Sequence, residues 1–444
     1  MVTASEVTTV SGAQAVPPGA APQGVAWETV STPAELAEAR NLVAEAGSAL
    51  RTRTPEQAMA HVEPYLPDYG ITRVAHLTYL DRIGIPVHTA HKPAGKSLSN
   101  GSGKGTTPAA SRIGAMMEAI EQTYWEDCQL PRMRASHESL TADGIAHVDP
   151  ADIPLNRGNF LNPRLVIEWT PMTDLRDGSQ VWAPADAVGL PWRTNSKRVS
   201  LTHMCSSNGL ASGSNLVEAI LSGLTEVMER DALAMGVAKK GPYVPTQSLS
   251  HDRLAEIYGE PFATLREKID RAELQVAIYD ATTELGLPTY KSYITDPSAG
   301  GAGTFGGYGA GLDAGTAMVR AVTEAAQARC LIIAGARDDQ FRCGRDASRL
   351  ASRQHHFAVP PTIGDSQSRP DLSTGSLCGD IELLTGMLAA NGMPQVLLHR
   401  YTEPGDPVQV VRVLVPKLEG YMFTSYTPGP RAKAAIAART GATS

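Results

Sequence analysis

Three long helical stretches of this sequence are apolar almost all round and still carry glutamates, and this combination constrains the fold more than any other feature. They run from about Pro108 to Glu126, from Asn215 to about Val237, and from about Ala314 to Ala336. Burying a carboxylate without compensation costs on the order of several kcal/mol. We therefore expect the three helices to lie in the core and to turn their acidic groups toward polar partners.

The glutamates of the first two helices share a face within each helix. Glu118 and Glu121 are three residues apart and therefore lie on one side of a helix. At about 100° per residue, Glu218, Glu226 and Glu229 fall within about 80° of one another. Taken alone, either pattern is also typical of a polar stripe at the edge of a core or of a surface ladder of charges.

The third helix adds cationic and amide groups to this acidic set. Arg320, Glu324 and Gln327 lie on one helix face among small apolar residues, although a simple helix ion pair would look the same. If the three helices converge, their carboxylates need a hard cation, and oxygen-only ligands select Mg²⁺ or Ca²⁺. No EF-hand pattern is present, so Mg²⁺ with substrate phosphates is favoured, with Arg230 and Arg320 gripping phosphate oxygens.

No P-loop supplies a nucleotide site here. The glycine–lysine pairs at Gly95-Lys96 and Gly103-Lys104 lack the upstream glycine of that motif. Lys104 stands between two glycines just before the first acidic helix, where a cation could meet phosphate or peptide, or could simply be solvated. The glycine-rich run 300–311 is expected to be a turn.

The remaining pattern predicts an α+β fold of helices packed on mixed β-sheets, with no internal repeat in evidence. Two capping boxes, Thr32–Glu35 and Thr54–Gln57, begin predicted helices, the second extending towards Tyr65. The other predicted segments are strands at Ile71–Leu80, Ile83–Ala90, Leu165–Trp169, Leu274–Tyr279, Thr289–Ile294, Gln395–Leu398 and Val408–Val415, loops at 95–107 and 206–213, and a Pro/Ala-rich tail. The predicted organisation is a flexible arm over 1–28, a helical segment over 29–75 and a catalytic domain over 76–444.

Composition narrows the class of protein. The 444 residues carry a net charge of -7, which argues against nucleic acid or an anionic membrane as a partner. No apolar run reaches the roughly 20 residues that span a bilayer, and no secretory signal precedes Arg40. The five cysteines form no C-x-x-C motif, which favours a reduced cytoplasmic compartment over a disulfide framework.

Several motifs together resemble the YcaO family from about residue 50 to the C-terminus. The segment 78–87, Thr-Tyr-Leu-Asp-Arg-Ile-Gly-Ile-Pro-Val, with Gly103-Lys104-Gly105 and the Glu118/Glu121 helix, is similar to the opening of these proteins. The segment 207–213, which leads into Glu218, Glu226, Glu229, Arg230 and Asp231, resembles their central motif. The segment 320–327 resembles their third motif. Gly114, Gln122, Ala211 and Ser214 depart from the residues that are frequent in the family.

The resemblance implies a YcaO-type ATP-binding fold and an enzyme that uses ATP and Mg²⁺ to phosphorylate the oxygen of a peptide backbone amide. It assigns the metal ions to Glu118, Glu121, Glu218, Glu226 and Glu229, and the nucleotide to Arg230, Arg320, Glu324, Lys104 and Ser214. The catalytic residues stay unknown, because these helices serve ATP and not the incoming nucleophile.

The resemblance also sets the expected product and partners. A precursor peptide is the expected substrate, and heterocycle or macroamidine formation in ribosomally synthesised, post-translationally modified peptides is the leading reaction. Thioamidation of a peptide or protein with a TfuA-like partner is the alternative, and a non-catalytic scaffold is the second alternative. The C-terminus has Pro428-Gly429-Pro430 instead of a Pro-x-Pro-x-Pro tail, which favours the standalone or TfuA-associated type. A homodimer is compatible with each of these.

Overall fold

The computed structural model describes residues 24–43, 50–190, 192–193, 196–197, 202–241, 248–299, 303–336, 357, 369–420 and 426–441. Most of the predicted arm, residues 1–23, lies outside these ranges, whereas Trp27–Val30 forms a short helix. The fold is α+β, as predicted, with helices packed on antiparallel sheets.

The helices in chain order are α1 (Trp27–Val30), α2 (Pro33–Glu38), α3 (Pro55–Val62), α4 (Pro108–Asp127), α5 (His137–Ala142), α6 (Leu216–Lys240), α7 (His251–Tyr258), α8 (Phe262–Arg271), α9 (Ala314–Ala334), α10 (Leu377–Ala390) and α11 (Pro430–Thr440). The capping boxes of α2 and α3 are both formed. The three long acidic helices begin where a polar side chain caps them, namely Thr107, Asn215 and Asp313. Residues 430–440 of the predicted tail are helical.

The strands are β1 (Arg73–His76), β2 (Val87–His91), β3 (Asn100–Lys104), β4 (Met133–Ser136), β5 (Leu155–Asn156), β6 (Val166–Asp174), β7 (Gln180–Pro184), β8 (Trp192–Arg193), β9 (Ser196–Lys197), β10 (Leu210–Gly213), β11 (Gln275–Asp280), β12 (Thr289–Thr295), β13 (Phe305–Ala310), β14 (Leu397–Arg400), β15 (Gln409–Leu414) and β16 (Tyr426–Thr427). The predicted strand over 71–80 is too long, because Thr78–Leu80 forms a 3₁₀ turn. The strand predicted from Ile83 begins only at Val87.

Three segments rich in glycine and other small residues are predicted to be loops or turns. These predictions are wrong in part, because each segment contains a strand: β3, β10 and β13. Each of these strands lies flat against the acidic helix that follows it. A Cβ atom on Gly103 would overlap backbone atoms of Ser111 and Ala115 in α4, and one on Gly309 would overlap backbone atoms of α9. The glycines are therefore needed for close approach of strand and helix, not for turning the chain.

The strand–helix pairs belong to three units of the same design. Unit A comprises α3, the antiparallel sheet β1-β2-β3 and α4, and unit C comprises α8, the sheet β11-β12-β13 and α9. Unit B joins β10 and α6 to elements from later in the chain, namely α10, β14 and β15, in the sheet order β10-β15-β14. Its sheet continues through β6 to β4, with β7 paired to β6.

Equivalent residues make the strand–helix contact in each unit. A Cβ atom on Gly101 would overlap Ala119, one on Gly209 the side chain of Val227, and one on Gly307 would overlap Ala325. Closer to the start of each helix, a Cβ atom on Gly103 would overlap Ala115, one on Gly223 would touch Ala211, and one on Gly309 would overlap Ala321. The spacing along the chain is the same in all three units. A threefold structural repeat is therefore present, although the sequence shows none.

The apolar core is largest around α6, which packs between the β10-β15-β14 sheet and α10. The C-terminal helix α11 packs on the other end of α6, where Arg431 Nη1 lies 2.7 Å from Asp231 Oδ1. None of the helices in the described ranges combines the length and apolar character needed to cross a membrane.

Candidate active site

The threefold repeat places the acidic residues at equivalent positions. Glu118, Glu226 and Glu324 each follow a helix residue that contacts the strand of the same unit, and the spacing is the same in all three units. The contact residues are Ala115, Gly223 and Ala321. The position one helical turn later holds Glu121 in unit A and Glu229 in unit B. The helices that carry them contact one another's strands: α4 contacts β10, α6 contacts β13, and α9 contacts β3. Acidic faces from all three units therefore lie close together in the space between these elements, which is the candidate cleft.

The carboxylates of the three units form a ring around the cleft, and two side-chain contacts connect neighbouring units within it. Ser212 of β10 donates from Oγ to Glu121 Oε1 at 2.6 Å, which ties unit B to unit A. Lys104 of β3 occupies the equivalent position in unit A and forms an ion pair with Glu324 of unit C. Lys104 is thus a strand residue held by an ion pair, and its contact with the nucleotide stays a prediction.

The carboxylates are close enough to disturb one another's ionisation. Burial raises the pKa of Glu121 to about 8; the hydrogen bond from Ser212 opposes this shift, and the charges of Glu118 and Glu226 add to it. Burial raises the pKa of Glu226 to about 7; Arg230 opposes the shift, whereas Glu229 and Glu324 add to it. Such crowding of anionic oxygens fits a site built for cations.

The other predicted metal ligands on α4 and α6 are oriented by hydrogen bonds and ion pairs. Glu118 Oε2 accepts from the Ser102 backbone N–H at 2.5 Å. Glu229 is 4% exposed, and its Oε1 lies 3.7 Å from Arg230 Nε. Arg230 Nε also lies 4.0 Å from Glu226 Oε1, so the arginine bridges the two glutamates.

Glu218 lies apart from this ring, in the first turn of α6. Its Oε1 accepts from the backbone N–H and from Oγ1 of Thr52, and its Oε2 accepts from the Ser214 backbone N–H at 2.9 Å. The carbonyl oxygen of Ser214 accepts from Arg53 Nη1 at 3.1 Å. Glu218 thus anchors the 51–53 segment to the start of α6, and its role as a metal ligand stays a prediction, as does the nucleotide contact of Ser214.

Two arginines contribute positive charge to the same region. The guanidinium of Arg320, on α9, makes no hydrogen bond or ion pair within the described part of the chain. Arg51 was missed by the sequence analysis: burial lowers its pKa, the charge of Glu218 raises it, and the charge of Arg320 lowers it. Its only sequence signal is its place just before the capping box at Thr54, which fixes the entry into α3.

Glu324 sits among these cations. Burial by itself raises its pKa, but the charges of Lys104, Arg230 and Arg320 outweigh this effect, and the net pKa is lowered. Three cations, Lys104 of β3, Arg230 of α6 and Arg320 of α9, therefore act on the single glutamate of this face of α9, whereas α4 and α6 each bring two glutamates to the site.

The donor set fits Mg²⁺ held together with a nucleotide. Among the described residues, no three acidic, histidine or cysteine side chains converge on a single point. Mg²⁺ does not need such a cage, because it usually takes one or two carboxylates and completes its shell with phosphate oxygens and water. Carboxylates spread around a cleft, with arginines nearby, suit that mode of binding.

The chain resembles known proteins over most of its length. Residues 102–419 match the family model described as YcaO cyclodehydratase, ATP- and Mg²⁺-binding. The uncharacterized protein in the tfuA 3′ region of Rhizobium leguminosarum bv. trifolii is 34% identical over 387 residues, covering 83% of this chain and 88% of that protein. A Methanothermobacter thermautotrophicus protein is 32% identical over 396 residues, covering 86% and 98% of the two chains.

Solved structures share the fold. The YcaO protein from Methanopyrus kandleri, bound with AMPPCP and Mg²⁺, superposes with a TM-score of 0.65 at 23% identity, over 86% of this chain and 95% of that chain. A heterocyclase in complex with substrate and cofactor gives a TM-score of 0.69 at 21% identity, over 83% of this chain and 53% of that chain. The predicted fold and the predicted cofactors, ATP and Mg²⁺, are confirmed at the level of the family. The chain belongs to the YcaO family of ATP-dependent enzymes.

Proposed function

We propose that this protein uses ATP and Mg²⁺ to activate a backbone amide of a precursor peptide by O-phosphorylation, for heterocycle or macroamidine formation. The observation that carries the proposal is that carboxylates from α4, α6 and α9 lie close to Arg230 and Arg320, whose charges act on them. A phosphoryl-transfer site needs this combination of cation ligands and phosphate-binding arginines.

The proposed roles follow the charge distribution of the cleft. Mg²⁺ would be held by Glu118, Glu121, Glu218, Glu226 and Glu229, and the nucleotide by Arg230, Arg320, Glu324, Lys104 and Ser214. ATP supplies the phosphoryl group that turns the amide oxygen into a leaving group, and Mg²⁺ neutralises the phosphate charge. The residues of the chain would bind the nucleotide and Mg²⁺ and orient them toward the amide oxygen.

The domain assignment is part of the same proposal. Residues 76–444 would form the catalytic domain, and the segment 29–75 would support it, since Thr52 donates hydrogen bonds to Glu218 and the charge of Arg320 acts on Arg51. A cytoplasmic location, a precursor peptide as substrate and a homodimer belong to the proposal as well.

Thioamidation with a TfuA-like partner is the second candidate. It is favoured by the 34% identity to the protein in the tfuA 3′ region of Rhizobium leguminosarum bv. trifolii. In that reaction the activated amide would receive sulfide in place of a side-chain nucleophile or an amine.

The mass of the product separates these reactions. The protein would be incubated with ATP, Mg²⁺ and a short peptide encoded beside its gene, with and without sulfide and a TfuA-like partner. We expect ATP hydrolysis with loss of one water from the peptide, or exchange of one oxygen for sulfur if thioamidation is the reaction. A peptide of unchanged mass and no ATP hydrolysis under any condition would instead favour the scaffold reading.

A further inference from the structure

The threefold repeat is broken at one chemically important place. The position held by Glu121 in unit A and Glu229 in unit B is held by Gln327 in unit C. Gln327 is 9% exposed and follows Glu324 by one helical turn, just as Glu121 follows Glu118. Unit C therefore offers a neutral amide where the other two units offer a second carboxylate.

Two cations near α9 add to this difference in charge. Lys104 stands at the position that Ser212 occupies in unit B, and it pairs with Glu324, whereas Ser212 donates a hydrogen bond to Glu121. Arg320 stands where unit A has Gly114 and unit B has Ser222. Unit C thus has one carboxylate fewer than units A and B and one positive charge more, Arg320, and its glutamate is paired with a second cation that comes from the strand of unit A.

A carboxylate at position 327, one turn after Glu324, would let α9 bind a divalent cation, because proteins bind Mg²⁺ through carboxylates. A neutral amide beside the ammonium group of Lys104 does not provide comparable affinity. An amide of similar shape fills the same space and can donate as well as accept hydrogen bonds. The substitution therefore changes the charge at this position of the cleft while keeping its volume.

We propose that Gln327, together with Lys104, is a specificity-determining residue that excludes divalent cations from the α9 side of the cleft and reserves that side for the phosphates of the nucleotide. Cations are confined to the α4 and α6 sides, between the Glu118/Glu121 and Glu226/Glu229 pairs. This inference rests on the proposed function, because it assumes that the cleft binds Mg²⁺ and nucleotide.

The test gives α9 the surroundings that α4 has, namely two glutamates one helical turn apart and a serine at the end of the neighbouring unit's strand. The double variant Gln327→Glu/Lys104→Ser places a pair of glutamates and a serine at the equivalent positions. Mn²⁺ is the probe, since its bound fraction can be counted by electron paramagnetic resonance with and without AMPPCP. We expect the double variant to bind one more Mn²⁺ per chain than the parent, or to bind Mn²⁺ at least tenfold more tightly, and to bind AMPPCP at least tenfold more weakly.

Controls separate this effect from charge alone and from misfolding. Gln129→Glu adds the same charge as Gln327→Glu, at an exposed position just beyond α4, and is expected to leave Mn²⁺ binding unchanged. Circular dichroism checks that each variant folds. If the double variant does not fold, Lys104→Ser alone, at a partly exposed strand end, is expected to tighten Mn²⁺ binding at least threefold.

The outcomes distinguish the two levels of the proposal. Parent protein that binds neither Mn²⁺ nor AMPPCP would overturn the proposed function itself. Parent protein that binds both, with a folded variant whose Mn²⁺ stoichiometry and affinity match the parent's, would overturn only the role of Gln327 and Lys104.

Discussion

Replacing Glu121 or Glu229 by glutamine is expected to abolish Mg²⁺-dependent nucleotide binding while leaving the protein folded. Each change replaces a carboxyl group, which binds a cation in its ionised form, by a neutral amide and keeps the shape of the side chain. Loss of groups that merely orient metal ligands costs about 10–100-fold in affinity, so loss of a ligand should cost at least about 100-fold. Isothermal titration calorimetry with AMPPCP and Mg²⁺ measures this directly.

Folding should survive these changes, because each one puts a neutral amide of the same shape into a crowded acidic group, in which burial, with the charges of neighbouring glutamates added, raises the pKa of Glu121 and Glu226. Glu138→Gln is the matched control, since Glu138 is exposed on α5 and pairs only at the surface with Arg164, at 3.2 Å. The assignment of Glu121 and Glu229 fails if both variants bind the nucleotide as tightly as the parent.

Gly103→Ala is expected to lower the free energy of unfolding by about 3 kcal/mol, a large effect for a single methyl group. The added Cβ would overlap backbone atoms of Ser111 and Ala115 within α4, and helix backbone cannot move aside as a flexible side chain can. The strand would have to separate from the helix that carries Glu118 and Glu121. Urea denaturation monitored by circular dichroism measures the loss.

Gly236→Ala is the control for this effect. Gly236 lies within α6, and a Cβ at this position meets no atom within 4 Å. Alanine there should raise the free energy of unfolding by up to about 1 kcal/mol, because it reduces the backbone freedom of the unfolded chain. A Gly103→Ala variant as stable as the parent would show that the strand does not lie against the helix as described.

The long helices could be predicted because their signals are local. Apolar periodicity with a capping residue defines α4, whose observed span of Pro108–Asp127 differs by one residue from the predicted end. The same reasoning found the glutamates, since a charged residue inside an apolar helix stands out in any sequence. Their convergence was inferred from the cost of burial and is seen in the mutual effects of Glu121, Glu118 and Glu226.

The strands beside these helices could not be predicted in the same way. Glycine in a sequence favours a turn, and nothing local shows that Gly101 and Gly103 have an entire helix within contact distance. Ser212 was hidden in one of these segments, although it donates to Glu121. The threefold repeat was hidden as well, because its units share spacing more than residues and unit B takes β14 and β15 from residues 397–414.

The fate of the amide oxygen tests the central claim most directly. An amide oxygen is a very poor leaving group, and phosphorylation would convert it into a stable anion that Mg²⁺ and arginine can hold. The substrate peptide would carry heavy oxygen at the reacting carbonyl, and the inorganic phosphate would be collected and weighed by mass spectrometry. We expect one labelled phosphate for each modified amide. A modified peptide accompanied by unlabelled phosphate would contradict the account, because ATP would then be activating some other group.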